Sequence, residues 1–427
     1  MNRSVLALLP ILVSGCGGKL DTDSRPDAGR VVVVVDSHDD CAGATVPPND
    51  LKCTGLYSDI ATKTVASGVR PYAPAVPLWA DNAEKSRFIS LPPGTTIDDS
   101  NPNEWTFPIG TKVWKQFSKF GKRIETRLFQ KTGTSDWVHA TYAWNDDDTA
   151  ATASVGGDFP LDGGTYHIPT SSECEQCHRG RSDYILGFEA VGLGTAGATG
   201  LTLDELASSG LISPKPANTH LQIGDDGTGI AASPLAWLHV NCGITCHNDN
   251  ENAIAYAAGM HLRLDPTLLD GRSSADFESL TTTLDVLAVN PSWKGRTRIV
   301  PGDAGSSLLV DLISYRGTDN PVGNQMPPIA TRLVDHPDVA NIVAWINKLP
   351  KRVHDAGAPQ TDASVDASSG DSAVPPTDGG HVVHHDAGHE PPQKDASLDS
   401  SAPAADAEVD GAAADSGHHA PTKGKKP

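Results

Sequence analysis

The chain has 427 residues, enough for two or three domains, and its 38% hydrophobic content is low for a protein of that size that packs throughout, so part of it is expected to lie outside any core. With 33 Lys and Arg against 53 Asp and Glu the formal net charge is -20, and no segment concentrates the basic residues that a phosphate backbone needs, which excludes nucleic acid as a partner. A basic protein partner fits that charge, while solubility alone accounts for most of the acidic residues.

The first fifteen residues, "MNRSVLALLPILVSG", carry one arginine, an apolar stretch from Val5 to Val13 and small residues before Cys16. This is the pattern of a secretory signal, too short to remain as a membrane span. "LVSGC" resembles the bacterial lipobox, so Cys16 is expected to be lipidated, giving an exported lipoprotein on the periplasmic side or the outer membrane. Residues 16–40, with "GGKLDTDSRPDAG", read as a linker. The valine run Val31 to Val35 is either a strand or an apolar part of that linker.

Residues 41–168 read as a β-rich domain. Cys41 and Cys53 are a candidate disulfide in front of it. "SRFISL", "GTKVWKQF", "KRIETRLFQ" and "WVHATYAW" are short runs separated by turn-rich segments. In "KRIETRLFQ", Ile124 and Leu128 point one way and Glu125 and Arg127 the other, the alternation of a half-buried strand. The fold class expected is α+β, with an antiparallel sandwich-like β domain followed by a mainly α-helical region over 169–350, with a sub-boundary near 232.

At the start of that second region "ECEQCHRG" places Cys174, Cys177 and His178 at the C-x-x-C-H spacing of covalent haem attachment. Each thiol adds across one vinyl group of the porphyrin, and the adjacent histidine is thereby held beneath the iron. The competing readings are a disulfide and a structural zinc site, which needs further ligands. "TLDELASSG" has a capping-box pattern at Thr202 and Glu205 and stops at Gly210, and "SPLAWLHVNC" begins a helix with Ser233 as the N-cap.

That helix delivers "HVNCGITCHNDN", where Cys242, Cys246 and His247 repeat the signature with one extra residue between the thiols. The longer loop either bulges and presents both sulfurs to a second haem or leaves one thioether unmade. Met326, in "GNQMPPIATRLVD", lies 326 - 247 = 79 residues beyond His247 on a proline-stiffened loop and is the candidate axial ligand there. A core methionine is the bland reading. For the first haem, Met260, His261, His239 and His220 remain open as the sixth ligand. "HPDVANIVAWINKLP" spaces Val339, Ile342, Val343 and Ile346 for a last helix that Pro350 ends. Residues 351–427, acidic and histidine-containing but almost devoid of large apolar side chains, read as a disordered tail.

Taken in order, "YAPAVPLWADNAEKSRFISLPPGTTI", "EWTFPIGTKVWKQF", "IETRLFQ", "ATYAWNDD", "YHIPTSSECEQCHRG", "LHVNCGITCHN", "IVPGDAGSSLLV" and "QMPPIATRLVD" resemble segments of exported bacterial diheme c-type cytochromes, over roughly residues 54 to 350. The resemblance implies two haems c, one on Cys174, Cys177 and His178 and one on Cys242, Cys246 and His247 with Met326, and electron transfer between redox protein partners. The family usually has "NCGHCHN" or "NCAHCHN" where this chain has "NCGITCHN". The rival expectations are a haem enzyme with an open iron position and a non-haem binding lipoprotein; an electron carrier is favoured over an enzyme.

Overall fold

The computed structural model describes residues 41–161, 164–317 and 323–351. The signal sequence, Cys16, the linker with its valine run and all of the tail beyond Lys351 lie outside the described residues. Among the described residues no helix is long and apolar enough to cross a membrane.

The strands in chain order are β1 (Tyr57–Asp59), β2 (Thr64–Val65), β3 (Arg70–Ala73), β4 (Glu84–Ser90), β5 (Ile97–Asp98), β6 (Lys112–Lys119), β7 (Lys122–Lys131), β8 (Trp137–Trp144), β9 (Ala151–Ser154), β10 (Gly157–Leu161), β11 (Gly164–Ile168), β12 (Thr199–Gly200) and β13 (Ile212–Ser213). The helices are α1 (Ser171–His178), α2 (Ala190–Gly194), α3 (Leu203–Ser208), α4 (Ala232–Leu238), α5 (Glu278–Thr281), α6 (Leu308–Ile313) and α7 (His336–Lys348).

The four runs read as strands form the centre of one antiparallel sheet of seven strands, ordered β12-β3-β4-β6-β7-β8-β9. Alternation along these strands sends Trp114, Leu128 and Tyr142 to one face, where they meet Leu51, Leu56 and Tyr57 from the N-terminal segment that the Cys41–Cys53 disulfide closes. The opposite face, through Ile89, Val113 and Phe129, joins an apolar core that continues through Leu235, Leu238, Ile342 and Trp345 of the C-terminal half. One core thus unites the sheet with the region that follows it, and every described residue belongs to one compact unit.

Two expectations are corrected here. The sheet is not half of a sandwich: the other sheets among the described residues have two strands each, and helices and loops cover the second face. Nor is 169–350 mainly helical; among its described α-helices only α7, at 13 residues, exceeds eight. The reason is local chemistry. Asp225 accepts from the N–H groups of Gly227 and Gly229, and Asp265, Asn290 and Asp303 cap single 3-10 turns, so side chains rather than helical ladders satisfy much of this backbone.

Candidate functional site

Helix α1 carries the first motif. Its N-terminus is fixed by a capping box in which Thr170 Oγ1 accepts from Glu173 N–H and the Glu173 carboxylate accepts from Thr170 N–H. His167 braces the same carboxylate from β11, with Nε2 at 3.0 Å from Glu173 Oε2 and Nδ1 at 2.7 Å from Asp158. At the far end, His178 Nδ1 donates to the Tyr184 carbonyl, which leaves Nε2 as the lone-pair nitrogen facing a cavity. Phe129 of β7 lies flat on the ring, with centroids 4.0 Å apart and planes at 14°. Burial, with Lys115 nearby, holds this imidazole well below its ordinary pKa, so it is a neutral donor.

The chain then returns to the sheet. Asp183, five residues past His178, accepts from Lys131 Nζ, Trp137 Nε1 and Phe107 N–H at 2.5 to 2.7 Å, an anchor buried on both sides of the ion pair.

The second motif follows α4, whose first turn lacks a side-chain cap; Ser233 sits inside the helix rather than at its N-cap. From His239 to Gly243 the helix widens into a π turn, with Ile244 N–H bonding the His239 carbonyl and His247 N–H bonding the Cys242 carbonyl, both at 2.8 Å. These five-residue closures take up the residue that lengthens the gap between Cys242 and Cys246. Gly243 is required there, because a Cβ would sit 2.5 Å from the Leu262 and Arg263 backbone.

Cys242 and His247 line a cavity of about 460 Å³ with apolar walls that include Leu262, Leu309 and Leu312, and Met326 faces the same space. One enclosed polar atom of this wall, Trp293 Nε1, has no hydrogen-bond partner among the described residues. Desolvation, assisted by Arg298, pushes His247 down to about 4. Volume, apolar lining, paired sulfur and imidazole donors and an orphaned indole N–H fit a large planar ligand with polar edges.

The two motifs meet. Cys177 and Cys246 contact each other thiol to thiol, and this contact raises the Cys177 thiol and lowers that of Cys246. Cys174 and Cys242 are raised by burial. Behind the contact, Asn248 Nδ2 donates to the carbonyls of Gly180 and Gly243, stitching one motif to the other. A smaller space of about 70 Å³ touches Cys177, Cys246, His247 and Met326 together. All four motif cysteines are free thiols. Among the described residues no group of three or more His, Cys, Asp or Glu side chains is arranged to share a metal ion.

The first cavity, about 100 Å³, is smaller and more polar. None of the four histidines and methionines considered as a sixth ligand lines it. Met260 belongs to the second cavity, His239 accepts from Leu264 N–H, His261 leans on Glu278 and His220 lies beside Thr219. What does line it is a set of cations from the sheet: Lys85, Arg87, Lys115 and Arg127. The reading of Arg127 and Glu125 as the outer side of a half-buried strand therefore needs correcting, since Glu125 is fully buried and binds Arg127 through both carboxylate oxygens. Burial, with Arg87 and Arg127 alongside, pushes Lys115 down to about 7.

No family model, no curated protein and no solved structure matches the chain.

Proposed function

We propose that this protein is an exported electron carrier of the diheme c-type cytochrome kind, anchored through Cys16, with haem held at both Cys/His motifs. The observation that carries the reading is the convergence of the two motifs: two sequence-distant Cys/Cys/His groups reach one place, each with its histidine facing a cavity. When bound, haem supplies one-electron chemistry between ferrous and ferric iron.

The chain's own residues perform the rest. Cys174 and Cys177 would fix one porphyrin and Cys242 and Cys246 the other, while His178 and His247 each offer a neutral ring nitrogen to the iron. The Tyr184 carbonyl fixes the His178 tautomer and orientation. Met326 lines the same cavity as His247 and would offer its thioether to the iron as a further donor, a ligand type that favours the reduced state. The thiol contact between Cys177 and Cys246 brings the attachment edges of the two sites together, which suits electron exchange within the chain. Leu262, Leu309 and Leu312 give the second site apolar walls.

The test is a redox titration of exported protein followed by visible absorption. Two one-electron waves are expected, with the higher-potential one lost when Met326 is replaced by alanine. A single wave unaffected by any substitution at Cys242, Cys246 or His247 contradicts the assignment.

A further inference from the structure

Strands β4, β6 and β7 set three cations side by side on one face, since Arg87 pairs across to Lys115 and Lys115 to Arg127. Lys85, two residues from Arg87 on the same face, adds a fourth. Like charges opposite one another on neighbouring strands destabilise a sheet, and enclosed cations without partners cost more again. Arg127 is compensated by Glu125, and Lys85 donates to the Leu78 carbonyl. The side chains of Arg87 and Lys115 make no hydrogen bond or ion pair with any described residue, although Arg87 is only 6% exposed.

The carboxylates bordering the same cavity are committed elsewhere. Glu173 serves the cap of α1 and His167, Glu189 accepts from Val191 and Gly192 N–H, and Asp81 from Arg332 and Leu333 N–H. The cavity thus has two uncompensated cationic side chains and no free anion to meet them, on the wall that faces Cys174, Cys177 and His178.

We infer that the row Arg87–Lys115–Arg127 is a carboxylate-binding site, and that the carboxylates it receives are the propionates of the porphyrin held by the first motif. The source of the carboxylate rests on the function proposed above; the site itself does not. It gives the β-sheet a task, as the wall that orients the first porphyrin by its acidic edge. The geometry matches charge-assisted pairing, in which fixed guanidinium and ammonium donors meet a flat carboxylate.

Two arms separate the sources. In haem-loaded protein, Lys115→Met and Arg87→Met are each expected to shift the propionate bending band of one haem in the low-frequency resonance Raman spectrum and to leave the other haem's band in place. In protein prepared without haem, succinate is expected to raise the melting temperature of the parent and to lose that effect in Lys115→Met, which removes an unpartnered charge and keeps the aliphatic stem. A succinate effect with unmoved Raman bands, or in a chain that never takes up haem, assigns the row to a free dicarboxylic acid. Failure of both arms overturns the site. Haem content per chain, counted independently, decides the function proposed above.

Discussion

Replacing Gly180 by alanine inserts one methyl group where the two motifs touch. A Cβ built there lies 1.8 Å from the Thr245 carbonyl oxygen, whereas real Cβ contacts stay above 3.0 Å, so the turn after α1 and the turn before Cys246 must part by at least 3.0 - 1.8 = 1.2 Å. Neither contact atom is the end of a flexible side chain. Overpacking of this kind costs about 1–3 kcal/mol. The 3.4 Å bond from buried Asn248 to the Gly180 carbonyl is lost with it, adding on the order of 1 kcal/mol. For a folded unit of about 300 residues the sum, about 2–4 kcal/mol, corresponds to a fall of roughly 3–6 °C in Tm. The assay pairs thermal unfolding of haem-free protein with peptide mapping of the Cys177–Cys246 disulfide formed on mild oxidation. The substitution should lower Tm and slow crosslinking together. A Gly180→Ala protein that melts with the parent and crosslinks as fast would show that the motifs do not meet as described.

Asp183→Asn leaves Lys131, 1% exposed, without its counter-ion, and is expected to cost about 3–5 kcal/mol in urea unfolding; a loss under 1 kcal/mol would remove Asp183 as the anchor of the first motif. In haem-free protein His247, lowered to about 4 from an unfolded value near 6.5, favours the unfolded chain as it takes up protons, so its contribution is complete above about pH 6.5 and disappears as pH falls towards 4. That change amounts to about 3 kcal/mol and should be missing from His247→Phe; equal acid sensitivity in the two proteins would refute it. His167 runs the other way: burial opposes its proton, but Asp158 and Glu173 outweigh burial and raise it, so its support of α1 is present below its unfolded pKa and fades as pH rises through the raised value. His167→Gln should flatten that alkaline slope in thermal melts, and an unchanged slope would argue against the brace. Met326→Ala should lower the potential of one haem and abolish the long-wavelength charge-transfer band of methionine-ligated ferric haem, whereas an intact band would point to Met260 on the same cavity.

Much of the sheet was legible because its signals are local. Alternation in "KRIETRLFQ" and the turn residues around it and "WVHATYAW" placed β7 and β8, and the helical spacing of Val339, Ile342, Val343 and Ile346 placed α7. The thiols and histidines of both motifs could be named from spacing alone. What failed depends on neighbours. Glu125 and Arg127 look like the wet side of a strand until a second layer covers them, and only the register of β4, β6 and β7 reveals that Arg87, Lys115 and Arg127 form a row. A useful signal was present: a basic residue at the centre of each of three strands that otherwise carry core residues. The helical estimate for 169–350 failed because Asp and Asn side chains cap isolated turns, a pattern that hydrophobic spacing does not register. The π turn that contains Cys242 was visible only as an extra residue in a signature.

The most direct measurement is a pyridine haemochrome spectrum with iron per chain, on protein matured in cells able to attach haem to cysteine. The account predicts two haems and two irons, with a thioether-type spectrum for the first motif and a spectrum that reports one or two thioethers at the second. Colourless protein from such cells, with Cys174, Cys177, Cys242 and Cys246 free or crosslinked to one another, would contradict it.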